Sequence, residues 1–544
     1  MDSRSKIKKI KIDGSISLTI VWSIIFLLLT LCILFPLFCV FITPNLSDFK
    51  EVLLLSVWKK TVLNTVLECV CSTFCAVLIG YIYAYAVIKG GIPCRKLFSA
   101  IPLLHLVTPP FVGGLAFILL LGRQGFITKT LFGLDISLYG FWGLLIAQTL
   151  CFFPLSYMIC SQTLQNINPS LQQASKALGA GRLRTFFKVT LPLSMPGILS
   201  SVLFIAVSVL SDFGNPMIVA GRYKVLAVEI YTQLTGWLNG GASAVLGIFL
   251  VIPSIILFVL QNRIVIKNME KTATIGGNGN SSIEGHENPG TLTRVMLTIF
   301  CAFISLCVIA QFAAIIAGTF QKLWGINTEF TLAHIKNISN CKTELGNTIR
   351  FAFEAAILST FLAALTAFLV YRTKSPCKKF IDTVIQLPAA VPGTLFGLAF
   401  SIAAAKCNFH NSKVLIVMAI TVGFIPFSYK AMVSSYSQIK TTLDDGARSL
   451  GASRLKLLFN IIMPVSKDGL FNSFIYDFVR GVGTMSAVIF LVSFDTPLTS
   501  IKILNLAEQG FWGDAAALAL LLTIITFTLI IIGNMLIKVW SRKK

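Results

Sequence analysis

The chain of 544 residues is 55% hydrophobic and 12% charged, carries a net charge of +23, and has a mean hydropathy of +0.82. Soluble domains hold about 25% charged residues, so a water-soluble globular protein is excluded and a polytopic membrane protein is implied. The 45 Lys and Arg fall in short clusters beside apolar stretches rather than in one basic domain, which argues against nucleic acid as a partner and makes the charge topological.

The chain opens with Lys6-Ile7-Lys8-Lys9-Ile10-Lys11 and an apolar run over 17–42. That run is long for a signal peptide and lacks a small-residue cleavage site, so a retained helix is expected. Further apolar stretches, each near the ~20 residues that span a bilayer, lie at 61–88, 98–121, 137–160, 195–219 and 243–262, then at 294–318, 346–371, 380–404, 414–436, 469–493 and 514–537. An all-α protein of about twelve transmembrane helices, six per half, follows. With the N-terminus inside, thirty Lys and Arg fall on the inner side and thirteen on the outer. This positive-inside bias predicts cytoplasmic termini and cytoplasmic loops after the fourth and tenth spans.

The thirteen Cys contain no CxxC pair, and most lie inside spans as small apolar fillers. Cys69 and Cys71 point to different helix faces, which disfavours a metal site with Cys75. Cys341 and Cys407 fall in outer loops, where a disulfide between them stays open. Pro109, Pro110 and Pro392 are expected to bend their helices, and His105 reads as a packed or hydrogen-bonded histidine rather than a ligand.

The two halves are duplicates. Asn64-Thr65 recurs as Asn347-Thr348, Pro93-Cys94-Arg95-Lys96 as Pro376-Cys377-Lys378-Lys379, and Gly114-Leu115-Ala116-Phe117 as Gly397-Leu398-Ala399-Phe400, all at a shift of 283. The loops after the fourth and tenth spans repeat at 272, so eleven residues differ between these landmarks. Six spans per half give both halves the same orientation, a parallel repeat about an axis along the membrane normal. Residues 1–262 form the first repeat and 294–544 the second. Between them 263–293 is a cytoplasmic linker, Gly-, Asn- and Ser-rich over 273–291 as suits a flexible tether.

The repeated loops, 165–195 and 437–467, carry the sharpest signal. The first reads Gln173-Ala174-Ser175-Lys176-Ala177-Leu178-Gly179, then nine residues on Val189-Thr190-Leu191-Pro192; the second reads Asp445-Gly446-Ala447-Arg448-Ser449-Leu450-Gly451 and then Ile461-Ile462-Met463-Pro464. Asn168 is a candidate N-cap with Pro169 at the first helical position, and Gly179 is the stop. Small Ala174 and Ala177 permit close approach to a partner, Pro192 is expected to end a second short helix, and Asp444 and Asp445 favour the positive end of the helix dipole. Arg182 and Arg454 occupy equivalent places, suited to a partner's carboxylates or to anchoring below the headgroups. The bland alternative, a surface amphipathic helix, is less natural for two copies at equivalent positions.

This pattern resembles the cytoplasmic loop of ABC-importer permeases, usually written EAA, three residues, Gly, nine residues, Ile-x-Leu-Pro. The copies depart from it with Gln173 for the acidic residue, Ser175 for the second Ala and Gly446 for the first. The resemblance implies type I importer architecture in the bacterial inner membrane, with the loops as coupling helices seated on an ATPase dimer. Gln173, Ala174, Gly179, Arg182, Pro192, Asp445, Gly446, Ala447, Gly451, Arg454 and Pro464 would then contact or shape that joint. The chain has no GxxxxGK[ST] loop and is expected to be no enzyme and to hold no cofactor. ATP would be bound by a separate subunit, and an extracytoplasmic substrate-binding protein would capture cargo.

Charges inside spans are costly and face a bundle interior or an aqueous path. Asp212, Asp477, Arg480, Glu68 and Glu354 are the candidates, each read either as packed or paired within the bundle or as lining the path. Asp477 and Arg480, three apart, are placed to pair on one helix face. In the family the fifth span of each half lines the route, which singles out Asp212, Asn215 and Arg480. Ser211-Asp212-Phe213-Gly214-Asn215-Pro216, with Val225 to Tyr231, is similar to a segment of fused permeases of the ferric-iron transport family. That branch also includes importers for 2-aminoethylphosphonate and sugar phosphates. Fe(III) would suit Asp212 or Tyr231 as oxygen ligands, an anion Arg480. The competing class is an ion-coupled secondary transporter of twelve helices, which needs no docking loops.

Overall fold

A computed structural model of the chain describes residues 16–135, 138–275, 290–373 and 377–542. The basic segment 6–11, most of the tether (276–289) and Pro376 lie outside them. The first half contains α1 (Leu18–Ile42), α2 (Ser56–Ile88), α3 (Arg95–Val107), α4 (Pro110–Leu121), α5 (Phe141–Gln165), α6 (Pro169–Ala177), α7 (Leu191–Leu210), α8 (Gly214–Val219) and α9 (Gly240–Ile275). After α10 (Thr291–Phe320) comes a small antiparallel hairpin of β1 (Gln321–Leu323) and β2 (Asn327–Phe330). The chain continues through α11 (Lys342–Arg372), α12 (Lys378–Gln386), α13 (Gly393–Lys406), α14 (Ser412–Ser437), α15 (Thr442–Ser449), α16 (Lys467–Val482), α17 (Thr499–Glu508) and α18 (Trp512–Arg542).

Among the described residues ten helices are long and apolar enough to cross a membrane, or eleven if the bent pair α12 and α13 counts as one span. The protein is an all-α, multi-pass membrane protein. The shortfall from twelve has local causes. The stretch 98–121 breaks into α3 and α4 at Thr108-Pro109, because proline disfavours helix at the residue before it. At Val391-Pro392 the turn between the α12 segment and α13 reaches 107°. The stretch 469–493 supplies a helix of only 16 residues, α16, after which Gly483 and a series of turns take over. Its counterpart α7 stops at the equivalent residue, Leu210 against Val482, rather than running to 219.

The described chain falls into two compact units. One holds Pro44–Lys342 with Thr499–Ile524. Helices α2 and α5 cross closely in it, and a Cβ on Gly80 would overlap Ser156 and the Phe153 carbonyl. Such small-residue contacts let helices pack where lipid supplies no hydrophobic drive. Buried hydroxyls find partners there: Tyr83 donates to the Phe98 carbonyl at 2.8 Å and the Ser156 and Ser201 Oγ atoms lie 2.8 Å apart. In the turn after α4, Arg123 Nε donates to Asp135 Oδ1 at 2.9 Å, and this bond and charge hold the exposed carboxyl below its usual range.

The other unit holds the described residues up to Thr43, Thr343–Leu498 and the chain from Ile525. In it α1 packs on α13, and the Phe26 and Phe380 rings lie 5.6 Å apart. Gly481 of α16 sits against Ala352 and Ile420. All thirteen cysteines are thiols; Cys69 Sγ lies 3.6 Å from the Ala206 carbonyl, as a packed filler would.

Candidate functional site

The first repeated loop leaves α5 through Asn166 and starts α6 with a side-chain cap. Asn168 accepts from Ser170 N at 3.0 Å while Pro169 fills the first helical position, where no amide is needed. Helix α6 ends in a Schellman turn: Gly179 N donates to the Lys176 carbonyl at 2.9 Å and Ala180 N to that of Ser175 at 3.1 Å. Gly179 has φ +81°, a left-handed conformation that costs other residues. The second loop repeats this geometry. Gly451 has φ +80°, its amide donates to Arg448 at 2.9 Å, and Ala452 N donates to Ala447 at 3.0 Å.

The residue before each glycine is a leucine bared to solvent, Leu178 at 88% and Leu450 at 90% exposure. Beside them Gln173, Ala174 and Ala177 are exposed on α6, and Asp445, Gly446 and Ser449 on α15. Arg182 is exposed and Arg454 half-buried. Pro192 and Pro464 are exposed but end no helix. Each follows a π-helical segment, Phe186–Thr190 or Leu458–Ile462, and occupies a first-turn position of the next helix, where a missing amide is harmless.

The two loops differ in how they are pinned. In the first, buried Gln172 donates to Thr190 Oγ1 at 3.1 Å and the Ser175 and Thr185 hydroxyls lie 3.1 Å apart. In the second the places of Ser175 and Thr185 are taken by Ala447 and Leu457, both buried. There Asp444, at the place of Gln172, accepts from Arg372 Nη1 at 3.1 and 3.2 Å. Arg372, the last residue of α11, also donates to the carbonyls of Tyr436 and Ile439 at the end of α14. The side chains of Arg372 and Asp444 are 1% and 10% exposed, making this a buried ion pair. Replacing Gly451 by Ala keeps these contacts but forces positive φ on an L-residue, at roughly 1–2 kcal/mol. Increased protease cutting at Arg448 or Lys456, with unchanged helical circular dichroism, is the expected result.

Of the residues expected along a path, Asp212 and Asn215 are brought together. Asp212 lies just past α7 and accepts from Asn215 Nδ2 at 2.9 Å and from Gln148 Nε2 at 3.1 Å. Gln148, on α5, is a neutral amide and carries no signal in the sequence. Arg480 and Asp477 do not pair. Asp477 accepts from Ser428 at 2.7 Å, while the Arg480 guanidinium lies over the Tyr476 ring at 5.7 Å. Glu354 pairs with Arg350 at 2.8 Å on an exposed helix face, and His105 is buried edge-on to Phe312.

Comparison with known proteins bears on both loops. The family described as binding-protein-dependent transport system inner membrane component matches residues 76–271 and 355–544, and each stretch contains one loop. The ferric transport system permease protein FbpB of Actinobacillus pleuropneumoniae is 31% identical over 450 residues, 80% of this chain and 64% of that protein. The putative ferric transport system permease protein FbpB 1 of Haemophilus influenzae is 32% identical over 415 residues, 74% of this chain and 65% of that protein. The molybdenum transport system permease protein ModB of Escherichia coli K12 is 31% identical over 172 residues, 30% of this chain and 75% of that protein. The chain thus spans slightly under two thirds of the length of these two ferric relatives. With most of its length matched in two successive copies, the chain belongs to the family of binding-protein-dependent transport system inner membrane components.

Proposed function

We propose that the chain is the permease of an ABC importer in a bacterial inner membrane, with cytoplasmic termini, and that its cargo is ferric iron. A separate ATP-binding subunit, in two copies, docks on the two loops, and an extracytoplasmic binding protein delivers the cargo. One observation carries this reading: a single loop geometry, a Schellman-ended helix with a bared leucine, occurs twice at equivalent positions. A leucine bared to solvent at the end of each short helix offers apolar surface for burial in a protein cleft. The names of the ferric relatives support ferric iron as cargo. Asp212, Asn215 and Arg480 are proposed to line the route.

The test is reconstitution of the chain with the ATPase and binding protein that co-purify with it. ATP-dependent accumulation of labelled Fe(III) is the expected result. Accumulation driven by an ion gradient alone would replace this reading with a secondary transporter. The variant Arg480→Leu should retain Fe(III) uptake, since a guanidinium offers a ferric ion no ligand; loss of uptake of a phosphonate or phosphate in that variant would instead favour an anionic cargo.

A further inference from the structure

Of the deeply buried carboxylates in the first unit, Glu229 has Lys224 at 3.0 Å, which leaves Glu68 on α2 at 3% exposure and Asp212 at 7%. Among the described residues no Lys, Arg or His lies within ion-pair distance of either. They share one neighbourhood: Gln148, fully buried, donates to Asp212 and lies beside Glu68, and the Asp212 charge reaches Glu68. Asn215, also fully buried, gives Asp212 a second NH2 group and its own backbone amide.

Both amides therefore turn donors onto Asp212, Gln148 serving Glu68 as well, and their oxygens are left over. Gln148 Oε1, Asn215 Oδ1 and Glu68 Oε1 are buried without a hydrogen-bond partner. Each of these amide oxygens belongs to a group whose nitrogen lies within 3.1 Å of the Asp212 carboxylate. On the Asn215 side the wall is bare backbone: a Cβ on Gly114 would come 3.0 Å from Asn215 Oδ1. His105 Nε2 faces Gly113 on the same wall and pairs with neither carboxylate.

A neutral donor would satisfy leftover acceptors but leave two buried negative charges, each costing several kcal/mol in a low-dielectric interior. A cation answers both needs. The donors are all hard oxygens, which excludes soft metals. The two carboxylates supply at most two negative charges and the other donors are neutral amides, and among the described residues no group of three His, Cys, Asp or Glu side chains is arranged for a metal. We propose that Glu68, Gln148, Asp212 and Asn215 form a binding site for a monovalent alkali cation. The ion joins α2, α5, the end of α7 and α8 at one point, and neutralises part of their charge.

The full chain, purified in detergent without partner subunits, tests this through its thermal unfolding at fixed pH and ionic strength in sodium, potassium or choline chloride. A saturable rise in Tm of several degrees with sodium or potassium over choline is expected, and Glu68→Gln, which keeps the shape and removes the charge, should abolish it. Should that variant fail to fold, broadening of the sodium NMR line by the wild-type chain, relieved by excess potassium, reads the same site. Equal midpoints in all three salts overturn the proposal, as does an undiminished ion response in Glu68→Gln. Stabilisation by acid in choline, with no response to alkali ions, assigns the site to a proton and overturns it as well. No ATPase or cargo enters the measurement, so its failure leaves the importer reading untouched.

Discussion

Replacing Arg372 by Met is expected to destabilise the protein by about 3–5 kcal/mol, the cost of stranding one member of a buried ion pair. Asp444 would be left at 10% side-chain exposure without its partner. The carbonyls of Tyr436 and Ile439 would lose the donor that covers the end of α14, where a helix cannot satisfy its own last acceptors. Lysine cannot substitute, because one ammonium does not hold the fork geometry that serves two elements at once. In detergent the variant should unfold at a markedly lower temperature, and α15 should become accessible to protease before the spans melt. The double variant Arg372→Met, Asp444→Leu should recover much of the loss, since an apolar pair removes the stranded charge. Equal melting of wild type and Arg372→Met would show that the pair contributes nothing. A recovered double variant with poor ATP-driven uptake would separate the pair's role in coupling from its role in folding.

The positions of the spans were legible because apolar length is a one-dimensional property, and so were the caps and stops of the repeated loops, which depend on neighbours in sequence. The limits of that reading lie where composition continues and backbone geometry does not. Val482 to Val492 is apolar enough for a helix, yet glycines at 481 and 483 weaken it and the chain satisfies its amides in turns. Prolines 109 and 392 announced a bend, but its size depends on what packs against it. The place of Asp444 in the first turn points to a role at the helix dipole; its partner lies 72 positions away, and only the fold brings it there. A signal did exist, since the shift of 283 aligns Arg372 with Lys89, each at the close of a long helix. Gln148 gave none, because its role is to donate to a buried carboxylate and neutral amides are common. The separation of Asp477 from Arg480 has a similar cause: spacing of three permits a pair, and Ser428 and Tyr476 compete successfully for the two groups.

Changing Leu178 and Leu450 together to Asp is expected to abolish ATP-driven transport while leaving the chain folded. Both side chains are already in solvent, at 88% and 90% exposure, so each change should alter stability by no more than about 0.5 kcal/mol. In a complex the same side chains would fill clefts of the ATPase, where full burial of a leucine contributes about 1.5–3 kcal/mol. Losing two such contacts amounts to about 3–6 kcal/mol, or roughly a hundredfold to ten-thousandfold in affinity at 1.4 kcal/mol per decade. Burying an unpaired carboxylate in their place adds to the loss. Co-purification of the ATPase with the tagged chain is the direct measurement, and its retention in the double variant would remove these leucines from the joint. The single variants carry further information. The second loop is held by a buried ion pair and the first by neutral hydrogen bonds, so a rigid loop presents its leucine at lower entropic cost on binding. Leu450→Asp should therefore weaken the complex more than Leu178→Asp, and the difference should shrink when Arg372 and Asp444 are replaced by the apolar pair.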